Sequence, residues 1–525
     1  MTHGWKLGPA RAYWGDLRPL LRHPMRPLVD KQLGVPGLLP GLNRGRSLAF
    51  GAWGRGVTTP ADPRDWLVFS STLRPGPSGA GSWRPDLLTR TRVLVVGLAR
   101  FSAMPPDNHA GETLALLVGG GPAPGINGVI ASATIEAIKS GLRVLGIDDG
   151  FRWLVKGDTT HVTELTLDEV SQIHFGGGSM LRTSRTNPAA DSASLERAIR
   201  ALMLLDVRYL ICIGGDDTTY GAAKIAERTR GVIGVVTVPK TIDNDLPLPE
   251  NAPTFGFETA RSVGAWIIES LMEDARTTSR WYLTVSMGRK SGSLALSMCK
   301  SSGATLAVIP EEFRDNEFDL TLAVDTIAGA IIKRRDAGHD NGVAVIAEGI
   351  AERMNPDSLA AAPGLERDAY GHVHIAEIPL GIVLRDRVRE TLKQVGIDAT
   401  VVAKDIGYEL RCARPVPFDA EYTRTLGYGA VRYLLNGGSG ALIAITGGHV
   451  TPVSLDQLLD PASGRISVRT VDISAESYRV ARSYMTRLEP SDLEEPSLSR
   501  LAAHTNLGAA DFKSRFEASV RATAV

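Results

Sequence analysis

Two stretches of the sequence are the most informative about its fold: YLICIGGDDT at residues 209–218 and VIGVVTVPKTIDND at residues 232–245. Each begins with an apolar run typical of a buried strand and ends in a loop that carries two carboxylates. Ligands bind at the carboxyl ends of the strands in a parallel α/β sheet, so both loops are expected to face one crevice. Glycines let the backbone approach a phosphate, and carboxylates hold Mg²⁺ or accept a proton. These stretches therefore predict a parallel α/β fold with the chemistry of phosphoryl transfer.

Predicted strands alternate with predicted helices on both sides of these stretches. The strands at Thr113–Val118, Arg143–Ile147, Trp281–Met287 and Gly342–Ala347 are separated by segments with helical periodicity, a pattern typical of parallel strands joined by crossovers. Because the roughly ten predicted strands are more than one sheet usually holds, we expect two Rossmann-like domains. Each would be a three-layer α/β/α arrangement around a mostly parallel sheet. After about residue 450 the pattern fades into loops, apart from a predicted helix near Ala510–Ala522.

The composition is that of an ordinary globular protein, with 525 residues of which 43% are hydrophobic and 22% are charged. No apolar run reaches the ~18–20 residues of a membrane helix, and the N-terminus lacks the apolar core of a signal peptide. Cys212, Cys299 and Cys412 lie far apart without the spacing of metal ligands. We therefore expect a protein of the reducing cytoplasm with no membrane partner.

The zero net charge hides a basic N-terminal extension. Residues 1–100 contain 15 Lys and Arg, 5 Asp and no Glu, and the remainder has 43 basic and 53 acidic residues. Basic extensions can bind nucleic acid, but no run here is dense enough to predict such a partner. Residues 1–111 keep no period of 2 or 3.6, so we expect an extension of low order. A second hypothesis is that synthesis begins at Met104 and that residues 1–103 are dispensable.

Two further glycine-rich loops are candidate phosphate sites. Gly119–Gly125 joins a predicted strand to a predicted helix, where backbone N–H groups can bind an anion. Its prolines exclude the dinucleotide fingerprint, and no Gly-Lys-Ser/Thr follows it as in a Walker A loop. Gly176–Ser179 is followed by Arg182 and Arg185, whose guanidinium groups suit phosphoryl oxygens, although solvated surface arginines are the structural alternative.

The carboxylates have different predicted roles. Asp216 and Asp217 are adjacent like charges at a strand end, an arrangement that is rarely only structural. One is expected to face Mg²⁺ and the other the phosphates of a donor. In the second stretch, Asp243 or Asp245 can accept a proton from an attacking hydroxyl, and Lys240 can neutralise phosphate. MGRKSG at residues 287–292, Glu348 and YELR at residues 408–411 add amides, guanidinium groups and hydroxyl acceptors at other strand ends.

The motifs GGGPAPGING, GGDDTTYGA, PKTIDNDLP, GFETA, MGRKSG and GYELRCARPVPFDAEYTRTLGYGA resemble the phosphofructokinase family, and more narrowly its pyrophosphate-dependent branch. The resemblance covers roughly residues 113–450, with the motifs in family order. It implies the phosphofructokinase fold and a Mg²⁺-dependent transfer of a phosphoryl group to the 1-hydroxyl of fructose 6-phosphate. Members of this branch run the reaction in both directions.

The resemblance also implies roles for individual residues. Asp243 resembles the general base, Arg185 the arginine that contacts the transferring phosphate, and Asp216 the acidic residue of the magnesium site. Lys240 would join Asp243 and Arg185 in catalysis. The donor-binding residues would be Gly120, Gly121, Gly215, Asp217, Thr218 and Lys240. The sugar-binding residues would be Thr241, Asp243, Asp245, Arg280, Met287, Gly288, Arg289, Glu348, Lys404, Tyr408 and Arg411.

Some of these roles carry further expectations. Arg280 matches an arginine that reaches into a neighbouring subunit's site, which implies a homodimer or homotetramer. Lys404 is only an approximate substitute for a phosphate-binding arginine of ATP-using relatives. The predicted domains are a donor-binding domain of residues 112–256 plus about 412–450 and a sugar-phosphate domain of residues 257–411. Residues 451–525 would form an extension that packs on the core.

The phosphoryl donor follows from a physical argument. ATP-using members carry glycine at the positions of Asp217 and Lys240, which leaves room for the α-phosphate of the nucleotide. A carboxylate there would meet that phosphate with like charge and with bulk. Pyrophosphate is therefore the predicted donor. The alternatives are an ATP-dependent phosphofructokinase, a kinase of sedoheptulose 7-phosphate, or a catalytically silent regulatory subunit, against which Asp216, Asp243 and Arg185 argue.

Overall fold

The computed structural model describes residues 109–313, 317–355 and 379–523. The predictions for the basic extension and for a start at Met104 therefore lie outside the described residues. The described fold begins at His109, whose ring lies 3.1 Å from the Tyr209 hydroxyl and 2.9 Å from the Glu112 carboxylate.

The first sheet contains strands from both ends of the described chain. Its strands are β1 (Thr113–Val118), β2 (Arg143–Ile147), β3 (Val162–Glu164), β4 (Val207–Gly214), β5 (Gly234–Thr241), β6 (Phe255–Gly256), β11 (Ala441–Thr446) and β12 (His449–Ser454). The order is β12-β11-β5-β4-β1-β2-β3, with β6 paired to β5. Only β3 and β12 run antiparallel to their neighbours, at the two edges. The prediction of a mostly parallel sheet is confirmed.

The first sheet is covered on both faces, which explains its continuous apolar strands. Leu114, Leu116 and Val118 of β1 pack in one cluster, and Ala115 and Leu117 of the same strand pack in another. The helices beside this sheet are α1 (Ile126–Lys139), α2 (Leu167–Val170), α3 (Ser192–Leu204), α4 (Asp216–Thr229) and α10 (Pro417–Leu435). Helices α1 and α10 contribute to the first cluster, and α3 and α4 to the second.

The second sheet has strands β7 (Trp281–Ser286), β8 (Leu306–Val308), β9 (Gly342–Ala347) and β10 (Val401–Ile406) in the parallel order β10-β7-β9-β8. Its helices are α5 (Phe257–Thr278), α6 (Ser293–Ser302), α7 (Leu320–Asp336), α8 (Leu380–Gln394) and the short α9 (Tyr408–Arg411). Helices α5 and α6 pack on one face, and α7 and α8 pack on the other. This sheet is also the centre of three layers.

The chain beyond residue 454 contains more structure than the sequence pattern indicated. Besides the expected C-terminal helix α13 (Ala509–Ala522), it forms α11 (Glu476–Ser483) and α12 (Ser497–Ala502). Phe512 and Phe516 are buried in the core of the second sheet. Arg487 is 1% exposed and donates to the buried Glu312 carboxylate at 2.8 Å. No helix of the described residues is long and apolar enough to cross a membrane.

The strand order places the candidate site. In the first sheet, β2 lies on one side of β1, and β4 and β5 lie on the other side. The connections after β1 and β4 therefore lead in opposite directions and leave a crevice at the carboxyl ends of these strands. The buried Asp419 of α10 accepts hydrogen bonds from the amides of Gly256 at 2.9 Å and Thr259 at 2.7 Å. This contact ties the start of α5, which leads into the second sheet, to a helix of the first.

Candidate active site

One cavity of about 500 Å³ lies at the carboxyl ends of the strands and brings together all of the predicted site residues except Arg280 and Lys404. The predicted residues that line it are Gly120, Gly121, Arg185, Gly215, Asp216, Asp217, Thr218, Lys240, Thr241, Asp243, Asp245, Met287, Gly288, Arg289, Glu348, Tyr408 and Arg411. Six residues that were not assigned to the site also line it, namely Pro122, Ser184, Thr186, Ile242, Lys290 and Arg465.

The glycine loop after β1 forms one wall. The Gly120 amide donates to the Ser184 carbonyl at 2.8 Å, and the Thr183 hydroxyl donates to the Gly120 carbonyl at 2.7 Å. Gly120 has φ of +83°, and a Cβ there would lie 2.8 Å from the Lys240 ammonium nitrogen. The left-handed backbone therefore favours glycine, and a side chain there would displace the Lys240 ammonium.

Asp216 and Asp217 form the first turn of α4, whereas the sequence placed them in a loop. A helix N-terminus favours negative charge and also offers free amides to an anion. The Lys290 ammonium donates to Asp216 Oδ2 at 2.7 Å, and the Asp217 amide donates to Asp216 Oδ1 at 2.9 Å. Burial alone would raise the pKa of Asp216, but the Lys290 ion pair outweighs it and the pKa is lowered. Asp217 is exposed at the mouth of the cavity.

Lys240 is a buried cation at the floor of the cavity. It belongs to strand β5, is 4% exposed, and donates to the Gly121 carbonyl at 2.6 Å. Burial lowers its pKa to about 8, although the nearby Asp245 and Asp243 oppose that shift. Lys240 therefore links β5 to the glycine loop and presents positive charge beside it.

Asp243 and Asp245 lie on the turn that follows β5. The Asp243 amide donates to the Thr241 hydroxyl at 3.1 Å, and Asn244 between the two acids has φ of +56°, a conformation that asparagine tolerates. Among the described residues, the buried Oδ1 atoms of both aspartates have no hydrogen-bond partner. Burial, with the like charges of Asp245 and Glu348, raises the pKa of Asp243. Such a carboxylate is poised to take a proton from a substrate hydroxyl.

The opposite wall comes from the second sheet. Gly288 has φ of +135°, and a Cβ there would lie 3.7 Å from Asp243 Oδ1. The Gly349 amide donates to the Gly288 carbonyl at 3.0 Å, which joins the loops after β7 and β9. The Arg411 guanidinium lies 4.6 Å from the centre of the Tyr408 ring. This wall offers hydroxyl acceptors and an arginine fork suited to a sugar phosphate.

Two predicted residues lie outside the cavity in this chain. Lys404 is in strand β10 rather than after it, and its ammonium lies 3.1 Å from Glu409. Arg280 lies just before β7, with its Nε 3.9 Å from Asp274. The role of Arg280 across a subunit interface stays a prediction. Lys290 was within the quoted MGRKSG motif, but Arg465 lies where the sequence pattern showed no element.

The donor set at Asp216 suits a magnesium ion. Asp216 offers a lowered pKa and therefore an ionised carboxylate, and Asp245 has a buried oxygen without a hydrogen-bond partner. In the described residues no three His, Cys, Asp or Glu side chains cluster as a complete metal site. Magnesium commonly uses one or two carboxylates and completes its shell with water and substrate phosphates. The residues present are compatible with that mode.

The fold and the site define an α/β phosphotransferase, because glycine loops, a helix N-terminus, a buried lysine and paired carboxylates converge on one crevice. The family model described as "Phosphofructokinase" matches residues 113–434. The chain therefore belongs to the phosphofructokinase family, and the resemblance seen in its motifs is confirmed.

Relatives of this chain include two proteins named pyrophosphate--fructose 6-phosphate 1-phosphotransferase. The Thermotoga maritima protein is 53% identical over 73% of this chain and 93% of its own length. The Naegleria fowleri protein is 48% identical over 77% of this chain and 95% of its own length. Among solved structures, a pyrophosphate-dependent phosphofructokinase from Marinobacter aquaeolei has a TM-score of 0.54 at 17% identity, covering 71% of this chain and 90% of that one. The structural similarity confirms the predicted fold.

Proposed function

We propose that this chain transfers a phosphoryl group from pyrophosphate to the 1-hydroxyl of fructose 6-phosphate, giving fructose 1,6-bisphosphate and phosphate. The observation that carries the proposal is the donor end of the cavity, where Lys240 is buried against the glycine loop and Asp217 stands at the mouth. The names of relatives at 53% and 48% identity support the same donor and acceptor.

In the proposed mechanism the sugar lies against the wall formed by Met287–Arg289, Glu348 and Arg411, with its 1-hydroxyl directed at Asp243. Asp243 accepts the hydroxyl proton as the oxygen attacks phosphorus. Arg185 and Lys240 stabilise the charge that develops on the moving phosphoryl group. The raised pKa of Asp243 makes it a stronger base than an ordinary aspartate once it is ionised.

The proposed cofactor is Mg²⁺, held by Asp216 with help from the unpartnered oxygen of Asp245. When bound, the ion would neutralise phosphate charge and orient the donor. Lys290 already pairs with Asp216 and supplies part of this positive charge. We also propose a cytoplasmic enzyme that runs in both directions and forms a homodimer or homotetramer in which Arg280 acts across the interface.

The experiment that tests this function is a coupled assay on purified protein. Fructose 6-phosphate and sedoheptulose 7-phosphate are each offered with pyrophosphate and with ATP, with and without Mg²⁺. The expected result is rapid formation of fructose 1,6-bisphosphate only with pyrophosphate and Mg²⁺. Preference for ATP would contradict the assignment of pyrophosphate as the donor. Preference for sedoheptulose 7-phosphate would contradict the assignment of fructose 6-phosphate as the acceptor. Binding of the sugar phosphate without turnover would indicate a regulatory subunit.

A further inference from the structure

A second cavity of about 340 Å³ adjoins the first at its donor end. It shares Asp216, Asp217, Lys290 and Arg465 with the first cavity. Its other lining residues are Tyr220 of α4 and Asp460, Ser463, Ile466, Ser467 and Val468 of the C-terminal segment. None of the residues of the sugar wall on the second sheet, such as Glu348 or Arg411, lines it. The C-terminal segment thus borders the site at its donor end.

We infer that Arg465 of this segment binds the departing phosphate of the donor, an inference that rests on the proposed use of pyrophosphate. Arg465 is the residue through which the C-terminal segment reaches the main cavity. Within the described part of the chain, its guanidinium group has no hydrogen-bond or ion-pair partner. Guanidinium groups bind phosphate oxygens in a bidentate manner, so this cation at a phosphate cavity has a matching ligand in the donor.

The backbone that carries Arg465 is held in place. Leu459 and Ile466 form an antiparallel bridge, and the Asp460 amide donates to the Arg465 carbonyl at 2.7 Å. The Ser463 hydroxyl donates to the Asp460 carboxylate at 2.7 Å, which fixes the tip of the turn. Ile466, the next residue along the chain, is buried in a cluster with Leu246. The backbone contacts therefore hold the turn in place, and the exposed side chain of Arg465 extends from it at the edge of the cavity.

The same segment is bonded to the turn that carries the proposed base. The Arg469 amide donates to the Asp245 carbonyl at 2.8 Å, and its side chain donates to the carbonyls of Asn244 at 2.9 Å and Ala252 at 2.9 Å. Arg465 precedes this anchored position by four residues, so the segment that carries it is attached to the turn of Asp243 and Asp245. Because Asp243, Asp217 and Arg465 line the same cavity, a donor whose transferring phosphorus faces Asp243 can direct its other phosphate towards Asp217 and Arg465.

Charge also favours this assignment. Lys290, the other cation shared by the two cavities, already pairs with Asp216 at 2.7 Å. The exposed Asp217 and the partly exposed Asp460 also line the second cavity, and their negative charge opposes phosphate unless a cation such as Arg465 offsets it. The departing phosphate gains negative charge during transfer, so an unpaired guanidinium group beside it stabilises both the bound donor and the product.

The test is steady-state kinetics of Arg465→Gln and Arg465→Lys in the full chain, with Arg479→Gln as control. Arg479 is an exposed arginine of the same segment that lines neither cavity. Arg465→Gln is expected to raise the KM for pyrophosphate and the inhibition constant of product phosphate about 10-fold or more. Arg465→Lys should recover part of both, and the KM for fructose 6-phosphate should stay within about twofold in every variant.

The outcomes separate this inference from the proposed function. Wild-type protein that ignores pyrophosphate would overturn both. Wild-type protein that uses pyrophosphate, with unchanged constants for pyrophosphate and phosphate in Arg465→Gln, would overturn the assignment of Arg465 alone. An equal rise in the KM for fructose 6-phosphate, or a similar effect of Arg479→Gln, would show a structural effect of the segment and would also overturn it.

Discussion

We expect the choice of donor to depend on two positions, Asp217 and Lys240. The double variant Asp217→Gly, Lys240→Gly opens the donor end and removes one charge of each sign. Asp217 is exposed at the mouth, and Lys240 is 4% exposed at the floor. In the proposed donor geometry, the α-phosphate of a nucleotide would meet Asp217 and Lys240, whereas pyrophosphate has no such group and its terminal oxygens can be bound by Lys240. The variant is therefore expected to shift preference from pyrophosphate towards ATP.

The size of the shift can be bounded from the structure. Two unit charges about 4 Å apart interact by about 1 kcal/mol in water and about 4 kcal/mol at an effective dielectric constant of about 20. Because Asp217 is exposed, its repulsion of an α-phosphate lies near the lower value, which corresponds to about 5-fold in rate. The buried Lys240 interacts more strongly with phosphate, but its removal also weakens the binding of ATP, so we expect it to contribute about another 10-fold. The ratio of kcat/KM for ATP to that for pyrophosphate should therefore rise about 50-fold.

The assay measures kcat/KM for both donors at saturating fructose 6-phosphate. Asp217→Asn removes the charge but keeps the size, and Lys240→Met removes the charge but keeps the length. If the charge of these side chains sets donor preference, the two control variants should reproduce most of the shift towards ATP. If their size sets it, the shift should appear only in the glycine variants. A donor ratio that stays unchanged in the double variant, with a normal KM for the sugar, would refute the reasoning.

Four other predictions follow from the site and the core. Asp243→Ser should lower kcat about 100-fold or more with little change in sugar KM, because it removes the proposed proton acceptor; near-normal turnover would exclude Asp243 as the base. The raised pKa of Asp243 means that kcat/KM for fructose 6-phosphate falls as the pH drops through that pKa, and Asp245→Asn should move this acid limb to lower pH by removing a like charge; an unmoved limb would argue against the coupling. On the alkaline side, kcat/KM for pyrophosphate should fall above about pH 8 as Lys240 loses its proton, and Lys240→Met should abolish that limb. Glu312→Ala should lower the free energy of unfolding by about 3–5 kcal/mol in urea titrations, since it leaves Arg487 buried without its anion; a loss below about 1 kcal/mol would show that the pair contributes little.

The hypothesis about residues 1–103 has its own test. A chain that begins at Met104 is expected to keep full activity, because every residue proposed for the site lies within the described residues from His109 onward. Activity of the two chains is compared at equal concentration, and a loss in the shorter one would contradict the hypothesis.

Buried helices and strands were predictable because burial imposes an apolar pattern on the residues of the element itself. The predicted strands at Thr113–Val118, Arg143–Ile147 and Gly342–Ala347 coincide with β1, β2 and β9. The edge strands β3 and β12 were missed, because β3 is partly exposed and β12 alternates only weakly. Their pairing depends on a neighbouring strand rather than on their own pattern.

The ends of elements at the site were less predictable. Asp216 and Asp217 were expected in a loop but begin α4, and Lys240 was expected after β5 but lies within it. Glycine, proline and acidic residues are typical of turns, so the sequence pattern favoured loops there. The same residue types are also tolerated in the first turn of a helix and in the last residues of a strand, provided that a neighbouring residue or the cavity supplies partners for their polar groups.

Local sequence patterns were enough to predict the alternation of strands and helices, the strand ends that carry chemistry, and the family to which the chain belongs. These features can be predicted from short stretches, because hydrophobic periodicity, glycine positions and pairs of acidic residues each span only a few consecutive residues. The pairing of Lys290 with Asp216, and the position of Arg465 of the C-terminal segment beside the donor end, became visible in the folded chain alone. Those contacts join residues far apart in the chain, and a single sequence carries no local signal for contacts that arise only when two sheets and a distant segment pack together.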